Sequence, residues 1–295
     1  MKIAVTGAGG FLGQHLLPHL VAIRPDVGVV AFSSKDPSTL YTDDRIQYYQ
    51  RASATDGVAM AGADVLVHCA FPRAVDGISL ARGLSYNRDV FHAAVRADVP
   101  AIVNISSQSV YSSSRETAAS EDTPVSLESP YATAKFSTEL LLEAYSSDTT
   151  RFSHLRLASL IGPTFDQRVV NKLVKTALSN GELRILRGRS LFAFMDVRDA
   201  AVAVIAAIGA QVWKSAPVLN VGAPAAYTLE EMARVVAAQV KAADGTEVVL
   251  YAAGDEARQT SSQMDSARFT QLTHFKPSHE LGDSVRDIIQ AATTC

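Results

Sequence analysis

The first thirteen residues constrain this chain more than any other stretch. Lys2 to Thr6 reads as a short buried strand and runs directly into Gly7-Ala8-Gly9-Gly10-Phe11-Leu12-Gly13, which opens a helix reaching about Ile23. Glycines at 7, 10 and 13, placed between a strand and a helix, each have a separate use. The first permits a tight turn, the second lets backbone approach a ligand, and the third lets helix pack closely on strand while the helix N-terminus faces an anion. Such a turn is a cradle for the pyrophosphate of a dinucleotide, held by Gly7, Gly10, Phe11, Leu12 and Gly13. Pro18, inside the same helix, is expected to kink it or to cost it a hydrogen bond.

The pattern downstream extends this start into an α/β fold with a doubly wound parallel sheet. Val27 to Phe32 is a second strand, and Asp64 to Ala70 is a continuous apolar run of the type buried on both faces in a parallel sheet. His68, within that run, reads as a packed core residue. Leu84 to Ala97 has helical periodicity and carries Asn87, and Ala101 to Ser106 is the next strand. Connections of these lengths suit parallel pairing, and the ligand crevice of such a sheet lies at the carboxyl ends of its strands. Ser106 and Ser107 therefore fall at the crevice. The second strand ends in Ser33-Ser34-Lys35. An acid there would hold the ribose 2′-hydroxyl of NAD, whereas small and basic residues suit the 2′-phosphate of NADP. NADP is the expected cofactor, with NAD kept open by Asp36 one position later.

The chemistry is carried by Ser106-Ser107-Gln108-Ser109-Val110-Tyr111 and, after a polar loop from Ser112 to Pro130, by Tyr131-Ala132-Thr133-Ala134-Lys135. Tyr131 opens a helix running to about Tyr145, so Tyr131 and Lys135 lie side by side on one face. A phenol with a pKa of about 10 is a poor acid–base group at neutral pH, and a fixed ammonium beside it would lower that value. Ser107 would polarise a carbonyl oxygen while Tyr131 gives or takes its proton.

Composition excludes several alternatives. With 27 Lys+Arg against 30 Asp+Glu and a net charge of -3, the chain has no basic field for nucleic acid and no polybasic membrane patch. Its two cysteines, Cys69 and Cys295, do not make a disulfide framework, and no metal-ligand spacing is visible. The N-terminal apolar run is too short for a signal peptide, and the run from Ala200 to Ala210 falls well below the roughly 20 residues of a membrane span. A reducing, cytoplasmic setting is expected.

Together Thr6 to Gly13, Val67 to Ala70, Asn87, Ser106 to Tyr111, and Tyr131 with Lys135 resemble the extended short-chain dehydrogenase/reductases, in the branch of sugar-nucleotide epimerases, dehydratases and ketoreductases. The likeness continues through Leu155-Arg156, Ile161-Gly162-Pro163, Phe194 to Ala200 and Leu219-Asn220-Val221-Gly222, and so covers essentially the whole chain. It implies a catalytic triad of Ser107, Tyr131 and Lys135, with Asn87 organising the active-site helix or its water. The cofactor set would comprise the glycine turn, Ser33, Ser34, Lys35, Ala70, Asn87, Tyr131 and Lys135. The implied organisation is a Rossmann domain over 1–160 and 192–221, with a smaller substrate lobe over 163–191 and 222–295. In that lobe Thr228 to Val240 fits a helix opened by a Thr228/Glu231 capping box. Homodimers through the helices at 84–97 and 131–145 are usual for such proteins.

Three departures from the family pattern bear on substrate. Gln108 and Ser109 stand where dehydratases of the branch carry an acid pair, which argues against elimination of water. Phe192 occupies the place of a diphosphate-binding arginine, a contact that Arg187 or Arg189 could replace, and Ser159 stands in place of an asparagine. Ser109, Ser159, Arg187, Arg189 and Phe192 are thus the candidate substrate residues. The leading expectation is an NADP-dependent ketoreductase of a nucleotide-linked 4-keto-6-deoxy sugar. The alternatives are an NAD-retaining sugar-nucleotide 4-epimerase, a reductase of a small non-nucleotide carbonyl, and a non-catalytic NADP-sensing regulator.

Overall fold

The structure, a computed structural model, describes residues 1–72, 76–165, 168–254 and 259–293. Cys295 lies outside the described residues. In chain order the strands are β1 (Lys2–Thr6), β2 (Gly28–Ser33), β3 (Ile46–Gln50), β4 (Val65–His68), β5 (Ala101–Ser107), β6 (Arg151–Leu157), β7 (Ser159–Ile161), β8 (Glu182–Leu186), β9 (Phe192–Asp196), β10 (Val218–Val221), β11 (Ala226–Tyr227) and β12 (Val249–Ala253). The helices are α1 (Phe11–Ile23), α2 (Gly77–Arg96), α3 (Pro130–Tyr145), α4 (Val169–Asn180), α5 (Val197–Gly209), α6 (Leu229–Asp244), α7 (Ala267–Thr273) and α8 (Leu281–Thr293).

Seven strands form one sheet in the order β10-β6-β5-β4-β1-β2-β3, and every pairing in it is parallel. Successive residues of its inner strands feed opposite cores. Ile3, Val5, Val29, Ala31, Val65 and Val67 pack on the side of α1 and α5, while Ala4, Val30, Phe32, Leu66 and Ile102 pack on the side of α2 and α3. Because side chains alternate faces along a strand and both faces are covered, these segments have to be apolar throughout. This is a Rossmann fold, and its strand order reverses between β1 and β4, where the glycine turn emerges.

The remaining strands build a second core. The ribbon β12-β8 packs with α4, α6 and α8 around Val174, Leu183, Met232, Val236, Val285 and Ile289. A three-stranded sheet, β11-β9-β7, lies between the two cores in the chain path. Thr228 and Glu231 form the expected capping box at the start of α6.

Two elements differ from the sequence reading. β3, alternately half-buried and exposed, adds an edge strand beside β2; its sequence Ile-Gln-Tyr-Tyr-Gln lacks the apolar continuity of the inner strands. α2 starts at Gly77 rather than near Leu84, because Asp76 caps it by accepting from the Ser79 N–H at 2.8 Å. Pro18 lies inside α1, which spans Phe11 to Ile23.

Candidate active site

The glycine turn requires its glycines, because side chains there would collide with backbone. Gly7 has φ +72°, and a Cβ on it would lie 2.7 Å from the Ala70 nitrogen. A Cβ on Gly13 would lie 2.3 Å from the Gly7 carbonyl oxygen, so α1 can approach β1 only with glycine at 13. Gly9, which the spacing argument passes over, has a role of its own: its Cβ would meet Ser33 Oγ at 2.5 Å and the Lys35 side chain at 3.2 Å, so these two side chains arch over the turn. Leu12 is buried under it, and Phe11 points along the cleft to stack on Phe165 at 4.6 Å.

Beside the turn lies a cavity of about 530 Å³ lined by Gly7, Gly10, Ala70, Ser33, Ser34 and Lys35. Two cations not foreseen in the sequence, Arg51 and Arg82, line it as well. The Arg51 guanidinium lies 3.9 Å over the Tyr86 ring. Among the described residues neither arginine nor Lys35 is ion-paired to a carboxylate. Asp36 is turned to local work, its carboxylate accepting from the Ser38 N–H at 2.9 Å and the Ser38 hydroxyl at 2.8 Å.

β5 and α3 carry the Ser107, Tyr131 and Lys135 side chains. Ser129 caps α3, accepting from the Ala132 N–H at 3.1 Å, and Pro130 takes the first helical position. Ser107 accepts from the Ser109 N–H at 3.2 Å, and its hydroxyl is placed to act on the Tyr131 phenol. Burial raises the phenol's pKa, opposed by the positive charge of Arg168 and by Ser107. The Lys135 ammonium is buried, donates to the Ile105 carbonyl at 2.8 Å and sits 4.1 Å over the Phe71 ring. Burial pulls Lys135 down to about 8. Phe71, just past the end of β4, also meets the Tyr131 ring edge-on at 5.5 Å, and so packs against both groups.

Behind these groups is a buried polar layer. Glu139 continues the Tyr131–Lys135 stripe by one turn and is gripped by Arg156 at 2.7 Å and 3.1 Å, with the Ser106 hydroxyl as a further donor. Arg156 also donates to the Tyr111 hydroxyl at 3.0 Å, which donates in turn to Asn220 at 2.8 Å. Asn220 ties the polar loop to β10 through the Ala119 carbonyl and the Glu121 carboxylate.

Asn87, one of the expected cofactor residues, lies on α2. It is fully buried, its amide donating to Thr138 at 3.0 Å and its oxygen facing His68 Nε2 at 3.0 Å. Thr138 donates to the Ala134 carbonyl, so its oxygen accepts from the Asn87 amide, and Thr6 bonds His68 Nδ1 at 2.8 Å. Burial drives His68 down to about 3 and His154, on β6, down to about 4. Both take up protons near 6.5 once unfolded, so the unfolded chain binds more protons below that pH. Stability is therefore expected to be full above pH 6.5 and to fall by about 1.4 kcal/mol per pH unit for each histidine as pH drops toward 4. Urea unfolding between pH 7.5 and 5 measures the slope, and His154→Gln should flatten it by about one proton's share.

The substrate candidates do not all converge. The Gln108 amide donates to the Ser159 hydroxyl at 2.9 Å, so two of the departures satisfy each other, and Arg115 holds the Gln108 oxygen at 3.0 Å. Among the described residues the buried Ser109 hydroxyl has no hydrogen-bond partner. Phe192 and Arg187 line a separate cavity of about 550 Å³ beside Leu229 and Thr260. Arg187 is 62% exposed and stands 3.9 Å from Glu230, and Arg189 is exposed. Among the described residues no cluster of side chains could hold a metal ion, and no helix is long and apolar enough to cross a membrane.

A dinucleotide cradle at the switch point of a Rossmann sheet, with a serine, a tyrosine and a lysine gathered beside it, defines an NAD(P)-dependent enzyme of the extended short-chain dehydrogenase/reductase type. Residues 3–222 match the NAD dependent epimerase/dehydratase family, and the chain belongs to that family. It is 28% identical to a UDP-glucose 4-epimerase of Mycolicibacterium smegmatis, over 98% of this chain and 98% of that protein. An uncharacterized UDP-glucose epimerase of Bacillus subtilis is 26% identical over 98% and 97%. Among solved structures, a UDP-glucuronic acid 4-epimerase from Bacillus cereus in complex with NAD superposes with a TM-score of 0.83 at 22% identity, over 100% of this chain and 99% of that one.

Proposed function

We propose that this protein is an NADP-dependent ketoreductase acting on a nucleotide-linked keto sugar of the 4-keto-6-deoxy type. The observation that carries the cofactor choice is the set of three cations, Lys35, Arg51 and Arg82, which line the cavity beside the glycine turn and have no carboxylate partner among the described residues, while Asp36 is engaged elsewhere. A ribose 2′-phosphate answers three cations in a way that a 2′-hydroxyl does not. The nicotinamide, when bound, supplies hydride to the carbonyl carbon. On the protein's side, Ser107 holds the carbonyl oxygen and Tyr131 gives it a proton. Burial favours the protonated phenol at neutral pH, which is the form that reduction needs. Lys135 and Phe71 hold the phenol and the cofactor-side wall in place. Elimination of water is disfavoured, because Gln108, the residue beside Ser107, is neutral and spends both ends of its amide on Ser159 and Arg115. Leu140 on α3, 49% exposed beside α2, supports a homodimer through these two helices.

A second reading, an NAD-retaining sugar-nucleotide 4-epimerase, is favoured by the activities for which the relatives are named. Both readings are tested by releasing and identifying any nucleotide that copurifies, then following NADPH and NADH oxidation with nucleotide-linked keto sugars. The expected result is NADPH-dependent reduction. Arg51→Ala is expected to weaken NADPH roughly ten- to a hundredfold, the worth of one charge-assisted contact, and to leave NADH nearly unchanged. Stoichiometric bound NAD with no consumption of NADPH would favour the epimerase.

A further inference from the structure

Arg115 lies in the polar loop between β5 and α3, and its guanidinium donates to neutral acceptors: the Ser112 carbonyl at 2.7 Å, the Gln108 side-chain oxygen at 3.0 Å and the Gln263 carbonyl at 3.3 Å. Its own carbonyl accepts from the Ser261 N–H at 2.7 Å, so backbone and side chain alike are seated against the segment 261–263. A guanidinium only donates, so the Gln108 oxygen has to face it and the Gln108 NH2 has to face away; the reversed amide would set donor against donor. That NH2 donates to the Ser159 hydroxyl oxygen at 2.9 Å. Ser159 therefore keeps its own proton for another acceptor, and among the described residues nothing accepts it. Strand register places this proton at the crevice: Ser107 on β5 pairs with Leu157 on β6, and Ser159 stands two residues beyond Leu157, half-buried. Ser107 is met from behind in the same way, its hydroxyl oxygen accepting from the Ser109 N–H at 3.2 Å. Two hydroxyls at the ends of neighbouring strands are thus each held by an N–H, one from backbone and one from the amide that Arg115 orients.

We propose that Arg115 is a positioning residue of the reaction: by fixing the Gln108 amide it leaves Ser159 as a hydrogen-bond donor to a substrate oxygen beside the carbonyl that Ser107 and Tyr131 hold. This rests on the reading of the site as one that acts on a sugar carbonyl. The substrate it favours carries an acceptor oxygen, hydroxyl or carbonyl, on the carbon next to the reacting one, as a sugar ring does.

The test is steady-state kinetics with TDP-4-keto-6-deoxyglucose and NADPH, and with UDP-glucose and NAD as the epimerase probe. The proteins are wild type, Arg115→Met, Arg115→Lys, Gln108→Glu, Ser159→Ala and the double variant of Gln108→Glu with Ser159→Ala. Gln108→Glu is the critical substitution. It keeps the shape of the side chain and gives Arg115 an ionic partner, but an ionised carboxylate has no proton to offer Ser159 and takes the serine's own. In Gln108→Glu, Ser159→Ala and Arg115→Met, kcat/KM is expected to fall about tenfold, the worth of one hydrogen bond, with NADPH affinity unchanged. The thermal melt of Gln108→Glu should stand at or above that of wild type. Arg115→Lys, which still donates, should recover part of the Arg115→Met loss. Because the residues act through one contact, the double variant should lose no more than Ser159→Ala alone. Wild-type kcat/KM in Gln108→Glu, the outcome of a merely structural Arg115–Gln108 contact, would overturn the proposal, and so would losses that multiply in the double variant. Should Arg115→Met fail to fold, Gln108→Glu and Ser159→Ala carry the comparison. If wild type leaves the keto sugar untouched but converts UDP-glucose, the ketoreductase reading fails and the same comparison tests Arg115 on that reaction; a wild type inactive on both probes would overturn both.

Discussion

Tyr131→Phe is expected to lower turnover by about two to four orders of magnitude, the worth of a positioned acid–base group, while leaving cofactor affinity and the thermal melt close to wild type. The substitution keeps the ring against Phe71, with which Tyr131 makes an edge-on contact at 5.5 Å, and removes only the hydroxyl. Because the lysine ammonium is held by the Ile105 carbonyl, losing the phenol leaves no buried charge stranded. The measurement is single-turnover hydride transfer alongside a cofactor titration. Full turnover in the variant would remove Tyr131 from the chemistry and, with it, the assignment of Ser107 as its partner.

Glu139→Ala is expected to give the largest loss of stability of any single substitution considered, about 3–5 kcal/mol, because it strands Arg156 in the interior. The two side chains are 1% and 6% exposed, and among the described residues Arg156 has only neutral partners besides Glu139. Removing both charges together, as Glu139→Leu with Arg156→Met, should recover much of the loss, since two matched apolar groups cost less than one uncompensated ion. Urea denaturation of the three variants decides it; a single variant as stable as wild type would mean that Arg156 finds another acceptor or water.

The parts of this fold that the sequence makes legible are those governed by local rules. The glycine turn, the two-faced apolar strands and the i, i+4 pairing of Tyr131 with Lys135 each follow from spacing alone. The parts that escape depend on contacts distant in sequence. Arg51 and Arg82 sit in unremarkable polar stretches, and only the pairing of β2 with β3 and the packing of α2 bring them to the cofactor cavity. Phe71 carries no periodic signal, although its position immediately after a strand that ends at the crevice could have marked it. Glu139 was within reach: extending the catalytic stripe by one further turn from Lys135 lands on it.

The chain of hydrogen bonds from Thr6 through His68, Asn87 and Thr138 has a kinetic meaning. Its members come from β1, β4, α2 and α3, segments that lie up to 132 positions apart between Thr6 and Thr138, so no fragment of the nucleotide half holds it complete. The imidazole proton on His68 can meet solvent only when that half opens as a unit. Its exchange rate would therefore time the opening of the nucleotide half, independently of whatever the second core is doing.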